Sequence, residues 1–340
     1  MSIVLEGVSK RFGGRAAVDN VSLSLEPGQF VAIVGASGCG KSTLLRLIAG
    51  LETLSSGRIL LNGKTVAEDG HSTPPEEREV GFVFQSYALW PHLTVLGNVA
   101  FPAEARGAAT READAQAMQH LDTVALRDFA DRKPEALSGG QRQRVALARC
   151  LAGGANIILM DEPLANLDPH LRGTMEGELL AFHRESGATT LYITHDQREA
   201  MALADQLAVM EEGRFLQVGP PDEIYDRPGN ATVARFIGQG ALQPVMVRGG
   251  RAQIGKSSFA TEAADGPGQA LFRPSDLDLT DPSGEALTGI VSSTTYRGGA
   301  WEAIVAVDGR SEPFEVTSRV RLNVGEPVGL RILRGWVLPG

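Results

Sequence analysis

The sequence predicts an α/β domain with a parallel sheet over residues 1–237, followed by a small all-β barrel domain over residues 238–340. In the first part, strand-like and helix-like patterns alternate, which is typical of a parallel sheet covered by helices on both faces. After Ile237 the chain changes to short β-rich runs of near-even spacing, separated by turn residues. That pattern favours a barrel.

The elements of the first domain follow from apolar runs and helical periodicity. Strands are predicted at 4–8, 21–25, 30–34, 80–84, 156–160 and 189–193, with a turn at Gly13 and Gly14. A helix is predicted at 41–49, and residues from about 88 to 152 are predicted to form a helical subdomain, with helices at 110–124 and 141–151. In the second domain, strands are predicted at 244–247, 271–272, 289–293, 301–307, 320–322 and 328–332.

The composition restricts the classes of partner. A net charge of −9 disfavours a free-standing nucleic-acid binder, which usually shows a basic face. Two cysteines, Cys39 and Cys150, form no disulfide framework and indicate a reducing cytosol. No run reaches the roughly 18 apolar residues that cross a bilayer, and residues 1–10 lack a signal-peptide pattern. We therefore expect any membrane part to belong to another chain.

The segment GASGCGKS, residues 35–42, fits the phosphate-binding pattern G-x-x-x-x-G-K-[ST]. Its glycines let backbone N–H groups turn toward an anion, and the helix that follows adds its positive end. Lys41 would place a charge on the β- and γ-phosphates, and the Ser42 hydroxyl would bind Mg²⁺. The segment therefore predicts a nucleoside-triphosphate site. Its nucleotide-binding residues are Gly35, Ser37, Gly38, Cys39, Gly40, Lys41, Ser42 and Thr43.

Two carboxylates follow a buried apolar strand at residues 157–160. The strand delivers Asp161 and Glu162 to the carboxyl edge of the sheet, where ligands bind in open α/β folds. Asp161 is predicted to hold the Mg²⁺ shell and to contact the nucleotide site. Glu162 is predicted to polarise the attacking water, as phosphoryl transfer requires.

A second anion site is predicted at the run LSGGQRQRVALAR, residues 137–149. Ser138 would cap a helix, while Gly139 and Gly140 would expose the N–H groups at its start. Two phosphate sites far apart in one chain are explained if two copies face each other. The run closely resembles the signature sequence of ATP-binding-cassette ATPases, and the resemblance covers nearly the whole chain.

That resemblance implies a P-loop ATPase domain with a helical subdomain, and a C-terminal domain of the OB type. It implies that two copies enclose each ATP between the phosphate-binding segment of one, residues 35–42 and here called the cradle, and the signature of the other, Ser138 to Gln141. It also assigns further residues by their position in the family motifs. Phe12 would stack on adenine, Gln85 would sense the γ-phosphate through Mg²⁺ and water, Asp168 would lie in the loop crossing the dimer, and His195 would be the catalytic switch histidine.

The resemblance further implies the partners and the location of the chain. The partners would be a second copy, transmembrane permease subunits and, through them, a solute-binding protein; nucleic acid is not expected. The chain would lie peripherally on the cytoplasmic face of the inner membrane. Residues 86–92 would form the groove that receives a coupling helix of the permease, with Tyr87 and Trp90 exposed, or would serve as a local hydrophobic hook for the helical subdomain.

Several runs resemble the subgroup of importers for ferric iron, polyamines, sugars and other small solutes. They are FVFQSYALWPHLTVLGNVAF, ITHDQREAMALADQLAVMEEGRFLQVGPPDEIYDRP and the β-rich C-terminal domain. In the C-terminal domain, the fragment 271–276 resembles an Arg-Pro-Glu element, with Ser275 and Asp276 in place of the glutamate. The expected function is ATP hydrolysis that drives import of a mineral or organic ion, with ferric iron first. The alternatives are a soluble ATPase of DNA repair or translation and an exporter subunit, neither of which fits the single cassette followed by a β-rich domain.

Overall fold

A computed structural model describes residues 1–165, 169–282 and 286–339 of the chain. It divides into two compact units, Met1–Pro221 and Asp222–Gly340. The domain boundary between residues 237 and 238 stays a prediction. Each unit is described by itself below.

The first unit is built around a six-stranded sheet in the order β11-β10-β3-β9-β8-β7. Its strands are β3 (Phe30–Val34), β7 (Val80–Val83), β8 (Ile157–Asp161), β9 (Thr189–Thr194), β10 (Gln206–Glu211) and β11 (Arg214–Gly219). All neighbours pair in parallel except β10 and β11. Every residue of β3, β8 and β9 is buried. The predicted parallel sheet is confirmed, with β11 as an antiparallel edge strand.

A second, antiparallel sheet has the order β2-β1-β4-β5-β6. Its strands are β1 (Ile3–Phe12), β2 (Arg15–Leu25), β4 (Ser56–Leu61), β5 (Lys64–Glu68) and β6 (His71–Ser72). The predicted strands at 4–8 and 21–25 are confirmed, but both are longer. Gly13 and Gly14 make the turn between them, with φ of 53° and 87°. The sequence analysis did not predict β4, β5 and β6, because their apolar runs are too short: three residues in β4, two in β5 and none in β6.

Six helices belong to the first unit in the described ranges. They are α1 (Lys41–Ala49), α2 (Val95–Ala105), α3 (Thr110–Thr123), α4 (Gly139–Ala152), α5 (Pro169–Ser186) and α6 (Gln197–Leu203). Residues 88–152 contain α2, α3 and α4 and no strand, as the pattern predicted. Where the structure describes the chain, it has no helix both long and apolar enough to cross a membrane.

The second unit is a small all-β, OB-like barrel preceded by two short helices, α7 (Pro221–Asp226) and α8 (Ala231–Phe236). One sheet has the order β14-β13-β12-β15-β21 and the other β16-β20-β17-β18-β19. The strands are β12 (Ala241–Arg248), β13 (Arg251–Ile254), β14 (Ser257–Ala260), β15 (Gly266–Phe272), β16 (Leu277–Thr280), β17 (Leu287–Tyr296), β18 (Trp301–Ala306), β19 (Phe314–Ser318), β20 (Pro327–Ile332) and β21 (Trp336–Val337). Apolar residues from both sheets form one core, which stabilises the barrel.

One predicted strand of the barrel is wrong. Residues 320–322 form no strand, and Val320 is 68% exposed. The Ser318 hydroxyl donates to the carbonyl of Val320 and accepts from its N–H, so the chain turns directly after β19. A side chain that forms hydrogen bonds with the backbone two residues along competes with the hydrogen bonds of strand pairing.

Candidate functional site

The loop between β3 and α1 requires glycine at two positions where no side chain fits. A Cβ atom on Gly35 would lie 2.1 Å from the carbonyl oxygen of Met210, and one on Gly40 would lie 2.2 Å from that of Ala17. Gly40 also has φ of 113°, in the left-handed region that glycine adopts most easily. Neighbouring backbone therefore fixes the path of this loop.

The tip of the loop is open. Ser37 and Gly38 are exposed, Cys39 is buried, and Thr43 is half-buried in the first turn of α1. Gly38 has φ of 80°, although nothing lies within 4 Å of its Cβ position. Conformation alone therefore favours glycine there, and the tip is accessible to a ligand.

Lys41 is buried although it carries a charge. Its Nζ donates to the carbonyl oxygens of Gly35 at 2.7 Å and Ala36 at 3.0 Å, and it lies 3.8 Å from Sγ of Cys39. The loop thus holds an ammonium group against its own backbone. A buried cation of this kind is stabilised further when an anion approaches it.

The Ser42 hydroxyl, in the first turn of α1, donates to Oδ1 of Asp161 at 3.1 Å. Asp161 ends β8 and is buried, and burial raises the pKa of its carboxyl. The bond from Ser42 and the charges of Arg46 and Lys41 oppose that shift, while Glu162 adds to it. The two predicted magnesium ligands therefore lie in direct contact, and their oxygens suit a hard divalent cation.

Glu162 and His195 form the second contact of the site. Nδ1 of His195, which follows β9, lies 3.0 Å from Oε2 of Glu162, which follows β8. The N–H of Glu162 donates to the carbonyl of Ile193, so the pair sits on two neighbouring parallel strands. Glu162 has φ of 46°, an uncommon value for a non-glycine residue and one often found at functional sites.

Gln85 is exposed and lies two positions after Val83, the end of β7, which pairs in parallel with β8. Since the strands are parallel, their carboxyl ends bring Gln85 to the same sheet edge as Asp161.

Phe12 is 49% exposed at the end of β1, and the Lys10 ammonium lies 4.9 Å from the centre of its ring. An exposed ring can stack on a base, but that role stays a prediction.

The signature residues cap α4 as predicted. The Ser138 hydroxyl accepts from the N–H of Gln141 at 3.3 Å, and the Gln141 side chain accepts from the N–H of Ser138 at 2.9 Å. Gly139 begins the helix, and a Cβ on Gly140 would lie 2.8 Å from Sδ of Met175 in α5. Close packing is thus a second reason for glycine at position 140.

The predicted dimer-crossing loop at Asn166, Leu167 and Asp168 lies outside the described residues. The catalytic and binding roles assigned to the other residues of the site stay predictions. The structure brings Lys41, Ser42 and Asp161 together and pairs Glu162 with His195, whereas the signature residues bond to one another.

The expectation that Tyr87 is exposed is wrong. Tyr87 is buried, and its hydroxyl donates to the carbonyl of Pro163 at 3.2 Å. Arg149 of α4 donates to the carbonyls of Tyr87 and Ala88 at 2.9 and 2.7 Å, and its guanidinium lies over the ring of Trp90 at 5.0 Å. Positive φ values at Tyr87 and Ala88 turn the chain back toward α4, so Tyr87 acts as a local hook.

A groove of about 370 Å³ borders this hook. Its lining includes three aromatic side chains, Phe82, Trp90 and Phe101, together with Pro102, Glu76 and Arg149. The ring centres of Trp90 and Phe101 lie 4.3 Å apart. No role for Arg149 was predicted from the sequence. An arginine inside the apolar run VALARCLA is the signal that could have identified it.

Comparisons with known proteins agree with this geometry. A family described as "ABC transporter" matches residues 18–165, and one described as "TOBE domain" matches residues 270–338. The "Sulfate/thiosulfate import ATP-binding protein CysA" of Brucella melitensis is 42% identical over 323 residues, which cover 93% of this chain and 89% of that protein. The "Fe(3+) ions import ATP-binding protein FbpC" of the same organism is 42% identical over 305 residues, which cover 87% and 85%.

A solved structure also resembles this chain. It is an ATP-binding cassette, dimeric, in a post-hydrolysis state bound to ADP and Pi. Its TM-score is 0.57 at 34% sequence identity, and the match covers 64% of this chain and 98% of that one.

Proposed function

Because this chain belongs to the ABC transporter family, we propose that it is the ATP-hydrolysing subunit of a membrane importer and that its dimer closes on ATP. The observation that carries the proposal is the pairing of two contacts at one sheet edge, Ser42 with Asp161 and Glu162 with His195. The printed names of the relatives, both import ATP-binding proteins, support the direction of transport. Repair, translation and export are not favoured.

The reaction we propose is transfer of the γ-phosphoryl group of ATP to water, giving ADP and phosphate. The Glu162 carboxylate would accept a hydrogen bond from the attacking water and then accept a proton from it. His195 would hold the Glu162 carboxylate in place through Nδ1 and present the rest of its ring to the γ-phosphate. Lys41 would add positive charge to the phosphates, where charge develops in the transition state.

Ser42 and Asp161 fit a magnesium ion, and Gln85 is proposed to reach it partly through water. Burial raises the pKa of the Asp161 carboxyl, and a divalent cation beside that group would offset the penalty of keeping it charged. When bound, the ion would neutralise phosphate charge. Asp161 and Ser42 would orient it from the protein side.

The signature residues Ser138 to Gln141 are proposed to bind the ATP held by the cradle of a second copy. Their capping box orders the first turn of α4, and the N–H groups of such a turn suit an anion. The similar cassette that is dimeric and bound to ADP and Pi supports the formation of a dimer. ATP would then favour the closed dimer by its differential affinity for that state.

The groove beside Trp90 and Phe101 is proposed to receive a helix of the permease. Its aromatic rings offer an apolar socket, and the exposed Glu76 adds charge at its edge, a common composition for a binding hot spot. A movement of the cassette would reach the permease through this contact. The chain would lie peripherally on the cytoplasmic face of the membrane.

The solute is proposed to be a small mineral or organic ion, with ferric iron as the first candidate. The named relatives handle an anion, sulfate, and a cation, Fe³⁺, at equal identity to this chain. That equality is expected if the solute is selected by the permease and the solute-binding protein.

Co-purification from native membranes through a tag on this chain tests the proposal. We expect multi-spanning permease subunits in the eluate, identified by mass spectrometry, together with ATP hydrolysis that Glu162→Gln abolishes. Solute import by vesicles containing the eluted complex would identify the ion. Ribosomal or DNA-repair proteins in place of permease subunits would overturn the transport role and leave the ATPase role standing.

A further inference from the structure

A buried carboxylate is hydrogen-bonded to the side chain of Thr194, the residue before His195. Glu199 of α6 is 3% exposed, and its Oε2 accepts from the Tyr192 hydroxyl and from the Thr194 hydroxyl, each at 2.8 Å. Burying a carboxylate is costly, and an apolar side chain of similar volume often stabilises a core at least as well. The arrangement therefore calls for an explanation other than stability.

The Thr194 hydroxyl links this carboxylate to the loop that carries His195. It donates to Glu199 and accepts from the N–H of Asp196 at 3.0 Å. The two backbone positions on either side of His195 are thus joined through one side chain. Asp196 in turn accepts from the N–H of Arg198 at 2.8 Å and caps α6, so both ends of the short loop are fixed.

The Glu199 carboxylate also lies near Arg172 of the neighbouring helix α5. Nη1 of Arg172, in the first turn of α5, lies 3.4 Å from Oδ2 of Asp196 and 4.0 Å from Oε1 of Glu199. Glu176 lies one turn along α5, and its burial, followed by the negative charges of Glu199 and Asp196, raises its pKa. An arginine that pairs with both carboxylates joins the His195 loop to α5.

We propose that Glu199 is a positioning residue for His195. Through Thr194 it fixes the backbone on both sides of the histidine, so that Nδ1 stays within reach of Glu162. Through Arg172 it ties that loop to the start of α5. The proposal rests on the proposed ATPase function, in which His195 acts at the γ-phosphate. Catalysis is sensitive to this kind of support, because a misplacement of about 1 Å can lower the rate roughly 100-fold.

Two substitutions remove the link and a third serves as the matched control. Thr194→Val keeps the shape of the side chain but removes the hydroxyl, and Glu199→Gln removes the charge that pairs with Arg172. Tyr192→Phe removes a hydrogen bond to the same oxygen without touching the His195 loop. We expect Thr194→Val and Glu199→Gln to lower kcat for ATP about tenfold with an unchanged KM, because the first disconnects Glu199 from the His195 loop and the second removes the charge that pairs with Arg172.

Tyr192→Phe should leave kcat as in the parent chain. Hydrogen exchange followed by mass spectrometry provides a readout that needs no activity. The peptide covering residues 193–197 should exchange faster in Thr194→Val and Glu199→Gln, and unchanged in Tyr192→Phe. Equal loss of kcat in all three variants would indicate a structural role and overturn the positioning role.

Combination with His195→Ala separates this inference from the proposed function. If Glu199 acts through His195, adding Glu199→Gln to His195→Ala produces no further loss in single-turnover hydrolysis. If the losses in hydrolysis rate of the two single variants multiply in the double variant, the inference alone is overturned. Normal turnover by Glu199→Gln and Thr194→Val, with slow turnover by His195→Ala, would have the same meaning. Normal turnover by His195→Ala would overturn the role of the histidine itself, and the inference with it.

Discussion

Nδ1 of His195 and Oε2 of Glu162 lie 3.0 Å apart across the ends of two neighbouring parallel strands. The contact joins the residue proposed to activate water to the residue proposed to meet the γ-phosphate. Because Glu162 has φ of 46°, its side chain leaves the strand in a direction that ordinary strand geometry would not give. The contact therefore depends on the backbone at Glu162 as well as on the two side chains.

Glu162→Gln should bind ATP and form the closed dimer, but hydrolyse roughly 100-fold more slowly or worse, because an amide cannot accept the proton from water. Phosphate release and gel filtration with ATP would measure both properties. Glu212→Gln is the matched control: Glu212 is exposed and has φ of 45°, so the same chemical change occurs on the same backbone conformation. Normal turnover by Glu162→Gln would remove Glu162 from the catalytic role.

Asp161→Asn should stabilise the nucleotide-free protein while abolishing magnesium-dependent hydrolysis. Burial raises the pKa of Asp161 above the ordinary value of 3.8, so the folded chain retains a proton that the unfolded chain has released. The charged carboxylate thus lowers the stability of the folded chain at pH values above its raised pKa. That stability is recovered as the pH falls through the raised pKa and the carboxyl becomes protonated. At pH 7 we expect the free energy of unfolding to rise by about 1 kcal/mol or less.

Thermal unfolding of Asp161→Asn between pH 4 and 7 measures this effect. The gain should shrink toward the acid end, where Asp161 itself becomes protonated. Exposed Asp69→Asn provides the control, with no change expected at either pH. A gain for Asp161→Asn that is equal at pH 4 and pH 7 would contradict the assignment of the effect to the buried charge.

The sequence predicted the sheet edge well because its elements are local. The strand at 30–34, the loop at 35–42 and the helix at 41–49 are contiguous, so periodicity and glycine spacing were enough to place them. The contact of Ser42 with Asp161 spans 119 positions, yet parallel strands ending at one edge made it expected.

Features that depend on non-local contacts could not be predicted. Tyr87 is buried by the Arg149 guanidinium and the Pro163 carbonyl, neither of which its own neighbourhood reveals. The close approach of Sδ of Met175, on another helix, favours glycine at position 140. Glu199 lies in a sequence that reads as an ordinary amphipathic helix, and only the fold shows that it is buried behind His195.

Cys39 is buried but lies beside the exposed Ser37 and Gly38 at the open tip of the loop, so it should react with N-ethylmaleimide in the native protein, and ATP should protect it. Its Sγ lies 3.8 Å from Nζ of Lys41, so a bulky adduct would occupy the proposed phosphate site and block hydrolysis. Cys150 should not react, because burial raises its pKa to about 11 and leaves it as a thiol. Mass spectrometry should give one adduct per native chain, and Cys39→Ala should give none. Equal labelling with and without ATP would count against nucleotide at this position.

Arg273→Ala should destabilise the C-terminal unit. Arg273 is 1% exposed, and its guanidinium donates to the carbonyls of Tyr225, Ala234 and Gln239. The backbone N–H of Arg273, which the substitution leaves in place, donates to Asp276. Truncation removes a buried guanidinium and its bonds to three carbonyls, of which that of Ala234 is buried, so we expect a loss of roughly 3 kcal/mol in the free energy of unfolding.

Urea unfolding followed by tryptophan fluorescence measures this loss. In a Trp90→Phe background the remaining tryptophans, Trp301 and Trp336, report on the C-terminal unit alone. Arg331→Ala is the control, because its ion pair with Asp278 is exposed and worth less than about 1 kcal/mol. Equal losses for Arg273→Ala and Arg331→Ala would show that the three carbonyls find other donors, and that Arg273 does not hold α7 and α8 to the barrel.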